Sequence, residues 1–294
     1  MNNILNENII SRYNKWKEGY IRKENSLEVK LSNFISTNTD LYKISKDGKH
    51  VDVNGSLLLY DENLINGELP VPFGEVKQDC YIECPSLKSM KNAPKKIKGQ
   101  LTFYNCPNLK SMDGYVDEVG TWVLITKCGL EHSNGMPKAK KGIYFKDCNS
   151  LTSLENCFVK DSGTSLILGE CHSITSLNGL PDTFGFINIK NCDGLTNLNW
   201  CPQKLNKIII TKCKNLTSLD IPNIKCDTIE CPSNENLTSI SINATSLIIF
   251  QCHECPKLNS LKGAPTRIHT LYIDDSFDGD MSNIIAGYTN KVED

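Results

Sequence analysis

The segment KIIITKCKNLTSLDIP, residues 207–222, holds one full unit of the pattern that decides the fold. Ile208 and Ile210 share one face of an alternating stretch, and alternation with period two indicates a short strand with one buried side. Cys213 follows, then Leu216 three positions later and Leu219 three after that. Ser218 lies between the two leucines, and a turn ends at Pro222. Working outward, a cysteine recurs at Cys84, Cys106, Cys128, Cys148, Cys171, Cys192, Cys213, Cys231 and Cys252, with gaps of 22, 22, 20, 23, 21, 21, 18 and 21 residues. Its context recurs as well, in Cys106/Leu109/Met112, Cys148/Leu151/Leu154, Cys171/Ile174/Leu177 and Cys192/Leu195/Leu198. The turns LKSMKNAP, ITSLNGLP and LNSLKGAP close at Pro94, Pro181 and Pro265.

A period near 21 residues is that of a solenoid, in which each unit buries little apolar surface alone and neighbours stack their Leu, Ile and Cys rows into a continuous core. Units this short leave the outer side room for extended or 3₁₀ segments but hardly for full helices. The pattern resembles the leucine-rich repeat over roughly residues 50–275, in a cysteine-containing variety where Cys stands in place of the usual Asn. The resemblance implies a curved parallel sheet in a mostly β member of the α/β repeat class. Two departures stand out: Cys128 is followed by Leu130, and Cys231 and Cys252 reach Leu237 and Leu258 only after six residues, which predicts irregular loops there. VDVNGSLLLY and ELPVPFGEV, ahead of the first clear unit, resemble the opening region of repeat proteins encoded by tailed bacteriophages.

Lys plus Arg number 32 against 34 Asp plus Glu, a formal charge of -2, so no global field draws the protein to nucleic acid or anionic lipid. No secretory h-region and no run of about 18 apolar residues is present, and the 14 cysteines are spaced as a core row rather than a pairing framework. The expectation is a cytoplasmic protein with reduced thiols.

Solenoid ends need polar caps. Ile9, Tyr13, Trp16 and Tyr20 recur at helical spacing, as do Leu27, Leu31, Phe34 and Ile35, predicting a helical N-terminal cap over residues 1–48 ahead of a solenoid over 49–275. Arg12, Lys15, Lys17, Arg22 and Lys23 form its solvated face. Leu271 and Ile273 read as the last strand, with 276–294 as a C-terminal cap or tail.

Little suggests catalysis. The repeating thiols are buried core groups, and the further cysteines at 80, 157, 201, 226 and 255 come with no base at triad spacing. Cys252-His253-Glu254-Cys255 is a lone C-x-x-C without a second ligand pair, and His50, His132, His172, His253 and His269 are scattered. No phosphate-binding glycine loop occurs. The expectation is no enzyme, no cofactor and no metal. Compact bacterial repeats of this type precede a ubiquitin-ligase domain in some secreted effectors; the resemblance reaches only their substrate-binding half.

Phasing each strand by its cysteine puts Thr102, Leu124, Tyr144, Ile167, Asn188, Ile209, Ile248 and Tyr272 in one outward row. Trp122 and Phe186 flank it on one side, Tyr104 and Phe250 on the other. Lys127, Lys146, Lys190 and Lys212 form a basic stripe beside it, with Asp274 and Asp275 near its end. An apolar, aromatic row on an open sheet is what protein interfaces enrich. The predicted activity is therefore binding of a protein partner, in the phage reading a host defence protein, with no nucleic acid or membrane. The alternatives are a structural or adhesive virion component and the substrate-binding part of an effector enzyme.

Overall fold

The computed structural model describes residues 41–292 apart from 114–115, 156, 158–163 and 222–223. The alternating segments form a twelve-stranded sheet in which spatial order follows sequence order. Its strands are Leu57–Tyr60, Cys80–Glu83, Leu101–Tyr104, Trp122–Thr126, Gly142–Lys146, Ser165–Gly169, Phe186–Lys190, Lys207–Thr211, Thr228–Glu230, Ser246–Gln251, Arg267–Asp274 and Ile285–Val292. Every neighbouring pair is parallel, so the chain is a parallel β-solenoid that returns to the same sheet once per turn.

Around a corner, short strands ahead of the principal ones stack into a second sheet of six: Tyr42–Ile44, Val51–Val53, Phe73–Val76, Lys96–Ile97, Glu118–Val119 and Lys138–Ala139. Ser218–Ile221 and Ser239–Ile242 pair on the remaining side. Between the layers run the stacked rows of the core, among them Leu101, Val123, Ile143, Leu166, Ile187 and Ile208, all fully buried. Among the described residues there is no α-helix, and 3₁₀ structure is confined to Leu41 and Asp61–Asn63. The short period leaves no room for more.

Six consecutive principal strands, from Leu101–Tyr104 to Lys207–Thr211, are each followed by a residue in the left-handed region: Asn105, Lys127, Asp147, Glu170, Asn191 and Lys212 all have φ between 52° and 57°. That sharp turn delivers Cys106, Cys128, Cys148, Cys171, Cys192 and Cys213 into the core. Ser233 (φ 59°) and Glu254 (φ 54°) repeat the conformation, and they precede Asn234 and Cys255. The row therefore continues through Asn234 and Cys255, not through Cys231 and Cys252. Ile209, Glu230 and Gln251 are consecutive register partners, so Cys231 and Cys252, each directly after its strand, continue the inward row of Ile210. Counted from Asn234 and Cys255, Leu237 and Leu258 fall at the ordinary third position, and the irregularity expected there disappears.

The row satisfies the backbone at the turn. Cys106 Sγ donates to the carbonyls of Ile82 and Tyr104 at 3.8 and 3.5 Å, and Cys148 Sγ to those of Ile125 and Lys146 at 3.5 and 3.4 Å. Asn234 does the same with a full amide: Nδ2 donates to Ile210 O and Cys231 O, both at 2.8 Å, while Oδ1 accepts the Cys213 N–H at 3.0 Å.

Both ends differ from expectation. Of the helical cap predicted over residues 1–48, 1–40 lie outside the described residues, while Tyr42–Ile44 form a strand and a turn follows it. Tyr42–Ile44 is an antiparallel partner of Val51–Val53, and the reversal is made by Ser45, whose hydroxyl donates to Asp47 at 2.6 Å, and by Gly48 at φ 67°. At the other end, Ile285–Val292 adds a strand beyond Arg267–Asp274, where the sequence shows little pattern.

Candidate functional site

On the outer side of the principal sheet the register stacks Leu58, Tyr81, Thr102, Leu124, Tyr144, Ile167, Asn188, Ile209, Glu230, Gln251 and Tyr272 in one row. Inward neighbours on these strands are fully covered, whereas this row stays partly open, with Leu58 at 54 %. Trp122 and Phe186 lie on one flank and Tyr104, Lys146 and Lys190 on the other, as phased from the cysteines.

Two residues of the predicted set are misplaced. Phe250 is fully buried, because it pairs with Ile229 and Leu271 in an inward row. Ile248 is exposed but lies three positions before Gln251, at an irregular step where the N–H groups of Ile248 and Ile249 both donate to Asp227 O. Both errors come from phasing on Cys252 in place of Cys255. That shift of three residues exchanges the two faces of a strand. Reading Asn234 and Cys255 as rungs would have found Glu230 and Gln251, whereas Cys84 follows its strand without a left-handed residue, so its phase points to the buried Cys80 and misses Tyr81.

Two aromatic rings lie against glycine. An added Cβ at Gly142 would come within 2.5 Å of Trp122 Cζ3, so that indole leans over bare backbone. At Gly169 a Cβ would lie 3.7 Å from the Tyr144 hydroxyl, an ordinary contact. The absence of side chains at these positions gives both rings a floor beside the next strand.

The lysines do not form one uniform stripe. Lys146 and Lys190 close their strands, while Lys127 and Lys212 occupy the left-handed turns, a row that also holds Asp147, Glu170 and Glu254. Lys146 Nζ is 4.0 Å from Glu170, Lys207 pairs with Glu230 at 2.6 Å, and Lys127 Nζ rests 5.8 Å from the centre of the Tyr104 ring. Along this edge runs an open groove of about 600 Å³ lined by Glu170, Asp193, Lys212, Lys214, Ser233 and Glu254, charges of both signs.

At the first turns, Tyr81 donates its hydroxyl to Glu83 at 2.8 Å, and its ring lies 6.2 Å from that of Tyr60. Burial, that hydrogen bond and the nearby carboxylate push the Tyr81 phenol up to about 12. Burial likewise pushes Cys84, Cys157 and Cys213 up to about 12, so these groups are thiols at neutral pH and poor nucleophiles. In the C-x-x-C segment the two thiols separate. Cys252 belongs to a strand row, and Cys255 donates to the carbonyls of Cys231 and His253 at 3.3 and 3.5 Å. Among the described residues no three His, Cys, Asp or Glu side chains gather as metal ligands, and no helix is long and apolar enough to cross a membrane. No family model, curated protein or solved structure matches the chain at a significant level.

Proposed function

We propose that this solenoid is a leucine-rich-repeat binding protein that holds a protein partner on the open face of its principal sheet, without catalysis. The observation that carries the reading is the row Leu124, Tyr144, Ile167 and Ile209, flanked by Trp122 and Phe186. These side chains are apolar, partly exposed and set at strand spacing, and among the described residues no second layer covers them. An apolar strip of this extent is costly in water unless a partner covers it. The leucine-rich-repeat assignment is supported by the C-x-x-L spacing and by Asn234, which stands in the cysteine row and makes the same carbonyl contacts. The likeness to phage-encoded repeat proteins names host proteins as the partners to test first.

The test begins with affinity capture from a host lysate and proceeds to quantitative binding with the captured partner. Tyr144→Ala and Ile209→Ala should each weaken binding about tenfold or more, since truncating a central anchor commonly costs about 2 kcal/mol. Lys146→Glu with Lys190→Glu should instead slow association, most at low salt. Wild-type affinity in all three, together with loss of binding on substitution of outer-side loops, would place the interface elsewhere.

A further inference from the structure

The first three turns carry a group of side chains that the apolar strip does not absorb. Tyr60 and Glu83 are register partners, and Tyr104 directly follows Phe103, the partner of Ile82, so the carboxylate lies on an outward row between the strand ends that carry two tyrosines. Tyr81, from the adjoining row, completes the enclosure: its hydroxyl is held on Glu83 at 2.8 Å, and its ring is 6.2 Å from Tyr60 and tilted by 55°. Tyr60 is 40 % exposed and Tyr81, Glu83 and Tyr104 are half-buried, so the group opens to solvent. Among the described residues, Glu83 has no lysine, arginine or histidine within ion-pair distance.

We propose that Tyr60, Tyr81, Tyr104 and Glu83 form a receptor for a cationic side chain, the ammonium of a lysine or the guanidinium of an arginine, presented by the protein partner. Strands stand about 4.8 Å apart, so the backbones of Tyr60 and Tyr104 are about 10 Å apart. A cation above Glu83 would lie about 5 Å from each ring, inside the roughly 6 Å reach of a cation–π contact. One of these rings, Tyr104, already takes an ammonium, that of Lys127 at 5.8 Å, which comes from the strand on the other side of Leu101–Tyr104 from Glu83. Glu83 supplies the countercharge, and its bond from Tyr81 fixes the carboxylate while leaving the other oxygen open. Asp61 and Glu62, in the turn directly after Tyr60, add two further negative charges near the end of that strand. The basic groups Lys146 and Lys190 lie farther along the sheet, so a partner would be oriented with its cation at the first turns.

This deepens the open-face reading and rests on it for the identity of the partner, but the site itself can be titrated without one. The probes are tetramethylammonium, butylammonium and butylguanidinium chlorides added to the full chain, with neopentyl alcohol as a neutral isostere and sodium chloride at matched ionic strength. Tyrosine ring resonances report binding. Saturable shifts of the Tyr60, Tyr81 and Tyr104 rings with the cations, and not with the two controls, are expected. Glu83→Gln and Tyr60→Ala should each weaken the cations at least fivefold, with thermal midpoints near wild type. Equal response to neopentyl alcohol, no response beyond that of sodium chloride, or full affinity in Glu83→Gln would each overturn the assignment. Such a result would leave the Tyr144 and Ile209 contacts standing, and loss of those contacts would leave the cation site standing.

Discussion

Two residues show how the repeat sets the demands on single positions. The turns that close at Pro94, Pro137 and Pro181 hold a left-handed residue two positions earlier, which Asn92 (φ 70°), Gly135 (φ 77°) and Gly179 (φ 93°) supply; Trp200, two before Pro202, holds the same conformation at φ 67° and is 71 % exposed. A bulky residue is disfavoured there by roughly 1–2 kcal/mol, partly offset by the backbone entropy glycine loses on folding. Trp200→Gly should therefore raise the unfolding free energy by about 0.5–1 kcal/mol in urea melts; a comparable fall would show that the indole packs usefully. Asn234 is the opposite case, fully buried with its amide satisfied on both sides. Asn234→Ala leaves the Cys213 N–H and two carbonyls without their partner and should cost about 3 kcal/mol or more, at 1–3 kcal/mol for each unmet group. Asn234→Cys, which keeps the donor used by the other rungs, should recover part of that loss; equal damage from both would mean the rung acts through volume alone.

At the scale of the element, the sequence states most strands outright, because Ile187/Ile189 and Ile208/Ile210 alternate directly ahead of a cysteine and the period fixes the next unit. It misleads where two cysteines compete for one role. Cys231 and Cys252 look like rungs, yet they fill inward strand positions where other turns use Ile, Leu or Phe, and a small apolar thiol suits either place. That ambiguity carried Phe250 to the wrong face. The last strand escapes notice for another reason. Thr289 and Lys291 take the register positions next to the buried Leu271 and Ile273, so Ile285–Val292 lacks the apolar alternation that marks its predecessors. Lys291 turns its ammonium to Asp275, donating to its carbonyl at 3.0 Å and facing its carboxylate at 3.7 Å. Polar groups on an outermost strand discourage another edge from pairing with it. Thr289→Val combined with Lys291→Val should thus promote concentration-dependent self-association in sedimentation experiments, and an unchanged monomer–oligomer balance would remove this role from the two residues.

The whole molecule is a stack whose thiols are part of one core, and this makes its stability sensitive to alkali. Burial pushes Cys192, Cys226 and Cys255 up to about 11, and Cys84, Cys157, Cys201 and Cys213 up to about 12, from an ordinary thiol value of 9.0. Each folded-state value lies above the unfolded one, so each thiol's contribution is fully present below pH 9 and declines as pH rises towards 11 or 12. In that window the unfolded chain has released protons that the folded chain retains, and stability falls with pH. One thiol contributes a slope of at most about 1.4 kcal/mol per pH unit, but the seven act together, and a net stability of about 5–15 kcal/mol is soon consumed. The thermal midpoint should be flat from pH 6 to 8 and drop steeply above pH 9, with thiol reagents labelling the folded protein slowly at neutral pH and rapidly once it melts. Replacing Cys213 and Cys192 by Ala lowers the starting stability through lost packing but should flatten the alkaline limb, since two of the groups that drive it are gone. An alkaline limb of unchanged steepness in that double variant would assign the effect to other groups, with the phenol of Tyr81 the first to examine.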